Sequence, residues 1–129
     1  MSTIFTKIVN KEIPCHLIKE DDRFLAFLDV MPLVEGHVLV IPKQEVDYIF
    51  DLEPELLGDL MKSAQTIAPA IKKAIPCKRV GVAVIGLEVP HAHVHLVPMN
   101  RMSDINFSQE KLKPSQESLA QTASLIRSF

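Results

Sequence analysis

Two short runs of mostly apolar residues, 16–20 and 24–30, flank the turn-forming triplet Asp21-Asp22-Arg23, a pattern that predicts a hairpin. A third run, 37–41, lies between Gly36 and Pro42 and predicts another strand. From residue 51 the rhythm becomes helical. Leu56, Leu57, Leu60, Met61, Ala64, Ile67, Ala68, Ile71 and Ile75 fall on one face, with Asp51 as the expected N-cap and Pro54 in the first turn. Pro69 lies inside this helix and brings no N–H to the Gln65 carbonyl, which predicts a kink near Gln65. Strands are expected again over 80–85 and 91–97, separated by Gly86-Leu87-Glu88-Val89-Pro90. Residues 99–113 show no period, and 115–128 predict a terminal helix through Leu119, Ala123 and Ile126. Strands, one long helix, then strands without alternating helices point to an α+β fold with a mostly antiparallel five-stranded sheet.

The chain has 129 residues, enough to bury roughly two-thirds of its unfolded surface in one domain spanning 1–129. Its 14 basic and 16 acidic residues form no long basic run, which argues against a nucleic-acid partner. Neither a signal-peptide pattern nor an apolar run of membrane-spanning length is present, so a cytoplasmic location with no membrane partner is expected. Cys15 and Cys77 stand far apart and are expected as free thiols. The four glycines are too scattered for a phosphate-binding P-loop or a dinucleotide fingerprint. A phosphate must be held some other way.

The chemistry concentrates in His91-Ala92-His93-Val94-His95-Leu96-Val97. On a strand, His91, His93 and His95 share one face at spacings of about 7 Å, while Ala92, Val94 and Leu96 turn to the core. Two readings fit. Histidines spaced by two can bind zinc, with Glu88 and His37 as further nearby ligands. Alternatively, a neutral imidazole attacks phosphorus directly, because it is nucleophilic at neutral pH.

This segment resembles the signature of the histidine-triad (HIT) superfamily, and the motifs upstream resemble its Hint-like branch in the same order. They are Ile4-Phe5-Thr6-Lys7-Ile8-Val9, Lys11-Glu12-Ile13-Pro14, Glu20-Asp21-Asp22, Phe27-Leu28-Asp29 and Gly36-His37-Val38-Leu39-Val40-Ile41-Pro42-Lys43. The likeness covers residues 4–98 and leaves 99–129 as a divergent C-terminal tail. It implies the HIT fold and a purine-nucleotide hydrolase or transferase that works at the α-phosphate through a nucleotidyl-histidine. A nucleoside phosphoramidase is the expected form; a dinucleoside polyphosphate hydrolase, or a nucleotide-binding or scaffolding protein with little turnover, are the alternatives.

By the same resemblance His93 is the nucleophile and His95 contacts the phosphate and assists the leaving group. His91 and His37 hold the nucleophile in its reactive tautomer. Asp29 accepts hydrogen bonds from the ribose hydroxyls, and Ile4, Phe5, Ile8, Phe27, Val30 and Leu39 receive the base. No metal or cofactor is implied, and a homodimer pairing through strand 80–85 is. The sequence departs from the family at two places. Thr3 and Thr6 stand where many bacterial relatives carry a zinc-binding cysteine pair. Leu87 and Glu88 follow Gly86 where phosphate-binding polar residues are usual, which makes Glu88 a substrate-contacting candidate of the wrong charge for a phosphate unless a cation meets it.

Overall fold

The computed structural model describes residues 2–129. Its elements are α1 (Ile4–Val9), β1 (Leu17–Glu20), β2 (Phe24–Leu28), β3 (Val38–Pro42), α2 (Pro54–Ala74), β4 (Arg79–Ala83), β5 (Val94–Met99) and α3 (Gln116–Arg127). The strands form one sheet in the order β1-β2-β3-β5-β4, with every neighbouring pair antiparallel. The α+β architecture expected from the sequence is the one observed. Among the described residues no helix is long and apolar enough to cross a membrane.

Alternation along the central strands serves two layers at once. Ala26 and Leu28 of β2, Val38 and Val40 of β3, and Val94 and Leu96 of β5 face α2 and α3, meeting Leu60, Ile67, Ile71, Leu119 and Ile126. The opposite face carries Leu25, Phe27, Leu39 and Ile41, packed with Phe5 and Ile8 of α1. Both faces of β2 and β3 are thus buried, which explains why these strands are apolar at every position. His95 lies opposite Leu39 in the β3–β5 register, on the α1 side of the sheet.

Local chemistry sets the element ends. Asp21 Oδ1 accepts the amides of Arg23 and Phe24 and closes the expected hairpin. Asp51 does not cap α2; it ends a short 3-10 turn, Ile49–Asp51, and Glu53 occupies the cap position without a side-chain bond. Pro54 begins the helix, where its fixed φ and missing donor cost nothing. Helical backbone continues through Pro69 to Ala74, so the proline does not end the helix. Ser115 caps α3 by accepting the amide of Ser118. The irregular 99–113 segment contains only the 3-10 turn Met102–Ile105. Helix α1 was not foreseen, since six residues carry too little period to be read; its cap is Thr3, which accepts the amide of Thr6.

The last strand starts three residues later than its sequence suggests. His91 N–H bonds Val89 O at 2.8 Å and Ala92 N–H bonds Val46 O at 2.7 Å, so the chain is tied to a loop before it joins β3 at Val94. His91 and His93 therefore precede β5, and the three histidines are not one regular ladder.

Gly36 and Gly58 make opposite demands. Gly36 has φ of +90°, and a Cβ there would lie 2.7 Å from Ile75 Cγ1. Gly58, in the exposed first turns of α2, has nothing within 4 Å of such a Cβ. Gly36→Ala is expected to destabilise the fold by about 1 kcal/mol or more, and Gly58→Ala to stabilise it by roughly 0.5–1 kcal/mol. Urea unfolding of the two variants checks the pair of signs.

Candidate active site

Four of the five histidines converge between β3, β5 and the loop before β5. His37, at the entrance to β3, is 1% exposed; His91 is fully buried, and His93 and His95 are each 7% exposed. The ring centroids of His93 and His95 are 4.9 Å apart, and those of His37 and His95 5.1 Å. Their hydrogen-bond partners fix where each proton sits.

The first chain of bonds starts at a backbone amide. Leu33 N–H donates to His37 Nδ1 at 3.1 Å, so His37 carries its proton on Nε2. That Nε2–H donates to His95 Nδ1 at 2.9 Å, which leaves the proton of His95 on Nε2. The second chain starts at a carbonyl. His91 O can only accept, so His93, whose Nδ1 lies 2.6 Å away, has its proton on Nδ1 and its lone pair on Nε2. His91 in turn donates Nε2–H to Pro42 O at 2.8 Å and accepts from Thr3 Oγ at 3.0 Å through Nδ1. Every buried side-chain nitrogen or oxygen among the described residues has a partner. Among the described residues the Nε2 atoms of His93 and His95 have no hydrogen-bond partner, so neither is wholly sealed from solvent. One is a bare lone pair and the other an N–H donor.

Burial keeps His37 and His95 neutral. His37 is pushed down to about 4 and His95 to about 3, in both cases mainly because desolvation penalises the imidazolium, with neighbouring positive charges adding to it. His91 is lowered as well, by burial first. Asp29 accepts the Met31 amide at 2.9 Å, and burial raises its carboxyl above the usual range. Its Oδ2 lies 3.8 Å from His37 Nε2. Single atoms of Asp29, His37 and His95 lie within 4.8 Å of one another, a grouping that can hold a metal ion if His37 yields its Nε2 proton. The ladder itself is not assembled as a ligand set, since both nitrogens of His91 and Nδ1 of His93 are committed to protein partners.

The apolar candidates divide. Phe5, Ile8, Phe27 and Leu39 form one buried cluster, and the Phe5 ring stands edge-on to His93 with centroids 5.1 Å apart. Ile4 and Val30 are half exposed, at 50% and 51%. His93 opens on a cavity of about 300 Å³ bounded by Tyr48, Phe50, Ile85 and Leu87. Glu88, next in sequence to the lining residue Leu87, is 83% exposed, and its carboxylate is met by Lys111 at 3.7 Å.

Several contacts escaped sequence reading. Thr3 and Thr6, noted only as replacing cysteines, join Glu45 in a hydrogen-bonded group that ends on His91: Glu45 accepts from the Thr3 amide and the Thr6 hydroxyl, while Thr3 Oγ meets the imidazole. The Phe107 ring lies against His95, with centroids 4.7 Å apart. Nothing in the aperiodic tail signalled Phe107 or Lys111.

An antiparallel sheet in an α+β fold that gathers His37, His91, His93 and His95 into one buried cluster defines the histidine-triad class of proteins. The chain belongs to the HIT family: the family model described as HIT domain matches residues 10–102. An uncharacterized HIT-like protein of Borreliella burgdorferi is 34% identical over 125 residues, covering 85% of this chain and 90% of that protein. Adenosine 5'-monophosphoramidase HNT1 of Saccharomyces cerevisiae is 38% identical over 96 residues, covering 74% of this chain and 61% of the yeast protein. Among solved structures, a Hit-like protein from Bartonella henselae superposes with a TM-score of 0.86 at 32% identity, covering 98% of this chain and 95% of that one.

Because His37 and His95 bind protons more weakly folded than at the ordinary value of 6.5, the unfolded chain takes up protons that the folded chain refuses between about pH 6.5 and pH 4. Stability is expected to fall as pH drops through that window. Denaturant unfolding at a series of pH values checks this, and His95→Gln should flatten the slope.

Proposed function

We propose that this protein hydrolyses nucleoside 5'-phosphoramidates, with adenosine the favoured nucleoside, through a nucleotidyl intermediate on His93. The observation that carries this reading is the His93 Nδ1–H bond to His91 O, which leaves the Nε2 lone pair facing the cleft. In the first step that lone pair attacks the α-phosphorus and the bond from phosphorus to the leaving nitrogen breaks. His95 Nε2–H, held in that tautomer by His37, donates a hydrogen bond to the departing nitrogen, which takes its proton from solvent as it leaves. Water then attacks the phosphorus, releases the nucleoside monophosphate, returns the electron pair to His93 and gives a proton back to solvent. Asp29 accepts from the ribose hydroxyls, and the cluster of Phe5, Ile8, Phe27 and Leu39 supplies apolar surface to the base, with Ile4 and Val30 at its edge. The likeness to the yeast monophosphoramidase supports the choice of substrate class.

We also propose a homodimer through the outer edge of β4. This strand ends the sheet and spans Arg79–Ala83, starting one residue before the expected 80–85 and stopping two residues short of it. Its Val82 and, just beyond it, Val84 and Ile85 are exposed apolar residues with no charge from Val80 to Ile85 to deter pairing. A second copy aligned antiparallel would extend both sheets into one and cover that surface.

Incubation with an adenosine phosphoramidate is expected to release AMP, and His93→Ala to lower the rate by more than about a hundredfold. A variant that keeps most of the rate excludes the nucleophile assignment. Light scattering at micromolar concentration is expected to give about twice the 14.4 kDa chain mass, and a monomer excludes the dimer.

A further inference from the structure

The tail beyond β5 returns to the histidine cleft and is pinned there at two points. The Phe107 ring packs against His95 and His37, with centroids 4.7 Å and 6.3 Å away. Five residues later, Leu112 N–H bonds Pro32 O at 2.9 Å, beside the Asp29 turn. Lys111 lies between these anchors, and its side chain is only 25% exposed. Its ammonium is 3.7 Å from Glu88, three residues before His91, and its positive charge is felt at Asp29, His37 and His95. The cation that Glu88 needs is therefore supplied by the tail of the same chain.

The pairing is weak in a useful way. The Glu88 carboxylate is 83% exposed, and an ion pair with so solvated a partner contributes little to stability. A phosphate carries up to two charges and three acceptor oxygens, so it competes well for an ammonium already held in place. Leu87 offers no donor to a phosphate and Glu88 offers only repulsion.

We propose that Lys111 is a substrate-binding residue whose ammonium leaves Glu88 and binds a phosphate oxygen of the nucleotide, with Glu88 acting as the competing anion that sets its availability. This rests on the reading of the histidine cleft as a nucleotide site. In it the divergent tail replaces, with one charged donor, the neutral donors missing from the loop at Gly86. The two residues then set charge selectivity together, and an anionic group at the cleft meets a cation in spite of Glu88.

Calorimetric titration of the full chain with AMP and with adenosine tests this without requiring turnover. Lys111→Met is expected to weaken AMP binding by about tenfold or more while leaving adenosine unchanged, since a charge-assisted bond to phosphate is lost. Lys111→Arg should restore most of the affinity, and Glu88→Gln should tighten AMP severalfold by freeing the ammonium. Unchanged AMP binding in Lys111→Met, or equal losses for AMP and adenosine, overturns the assignment. If Lys111→Met fails to fold, unchanged or weaker AMP binding in Glu88→Gln overturns it instead. A wild type that binds neither compound overturns both this assignment and the nucleotide reading. A wild type that binds AMP through Lys111 but releases none from a phosphoramidate overturns the hydrolytic reading alone.

Discussion

A carbonyl oxygen cannot donate a hydrogen bond, and His91 O lies 2.6 Å from Nδ1 of His93. That one contact settles the tautomer of the central imidazole. It leaves Nε2 of His93 as the nitrogen without the proton, and the same logic runs in mirror image from the Leu33 amide through His37 to His95. Neither outcome depends on a neighbouring charge. The backbone supplies a donor on one side and an acceptor on the other, and the two imidazoles come out with opposite hydrogen-bonding character at Nε2. Burial reinforces the arrangement, because protonation of His37 or His95 would place a charge where water cannot solvate it and would break the chain of bonds.

The fold is built to keep those backbone groups where they are. His37 enters β3 directly after Gly36, whose positive φ lets the turn close against Ile75 and Pro98. Pairing of Leu39 with His95 and of Val40 with Val94 sets His95 beside the end of that turn. His91 is tied down separately: its Nε2 reaches Pro42 O at the far end of β3, and its Nδ1 reaches Thr3 at the cap of α1. A side chain anchored at both nitrogens holds its own carbonyl steady. His91, which fixes the tautomer of His93, is thus positioned by the first helix and the third strand together. Beside them the hydroxyls of Thr3 and Thr6 and the Glu45 carboxylate form direct hydrogen bonds that tie the start of the chain to this corner.

The hairpin, the long helix α2 and the terminal helix α3 were legible because each repeats its period several times or carries a plain turn or cap, as at Asp21 and Ser115. Helix α1 was not, since a single cap and six residues leave no period to detect. The spacing of the histidines pointed to a cluster that the fold brings together but suggested too regular a strand. Alternation cannot reveal that Ala92 bonds Val46, a partner from a loop more than forty residues earlier. The likeness to the HIT family named His37, whose role depends on a tertiary contact that local pattern does not encode. Phe107 and Lys111 had no such help: they lie in a tail without period and outside the span of the likeness. Only the folded chain brings them to Glu88 and His95.

The account turns on which nitrogen of which histidine becomes bonded to phosphorus. Rapid acid-free quenching of the reaction with an adenosine phosphoramidate, in a His95 variant that slows the second step, should trap the intermediate for intact-mass measurement and phosphorus–nitrogen NMR. The arrangement of bonds predicts an adenylyl group on His93, linked through Nε2. An adduct on Nδ1 of His93, an adduct on another residue, or AMP release with no adduct on any residue contradicts it.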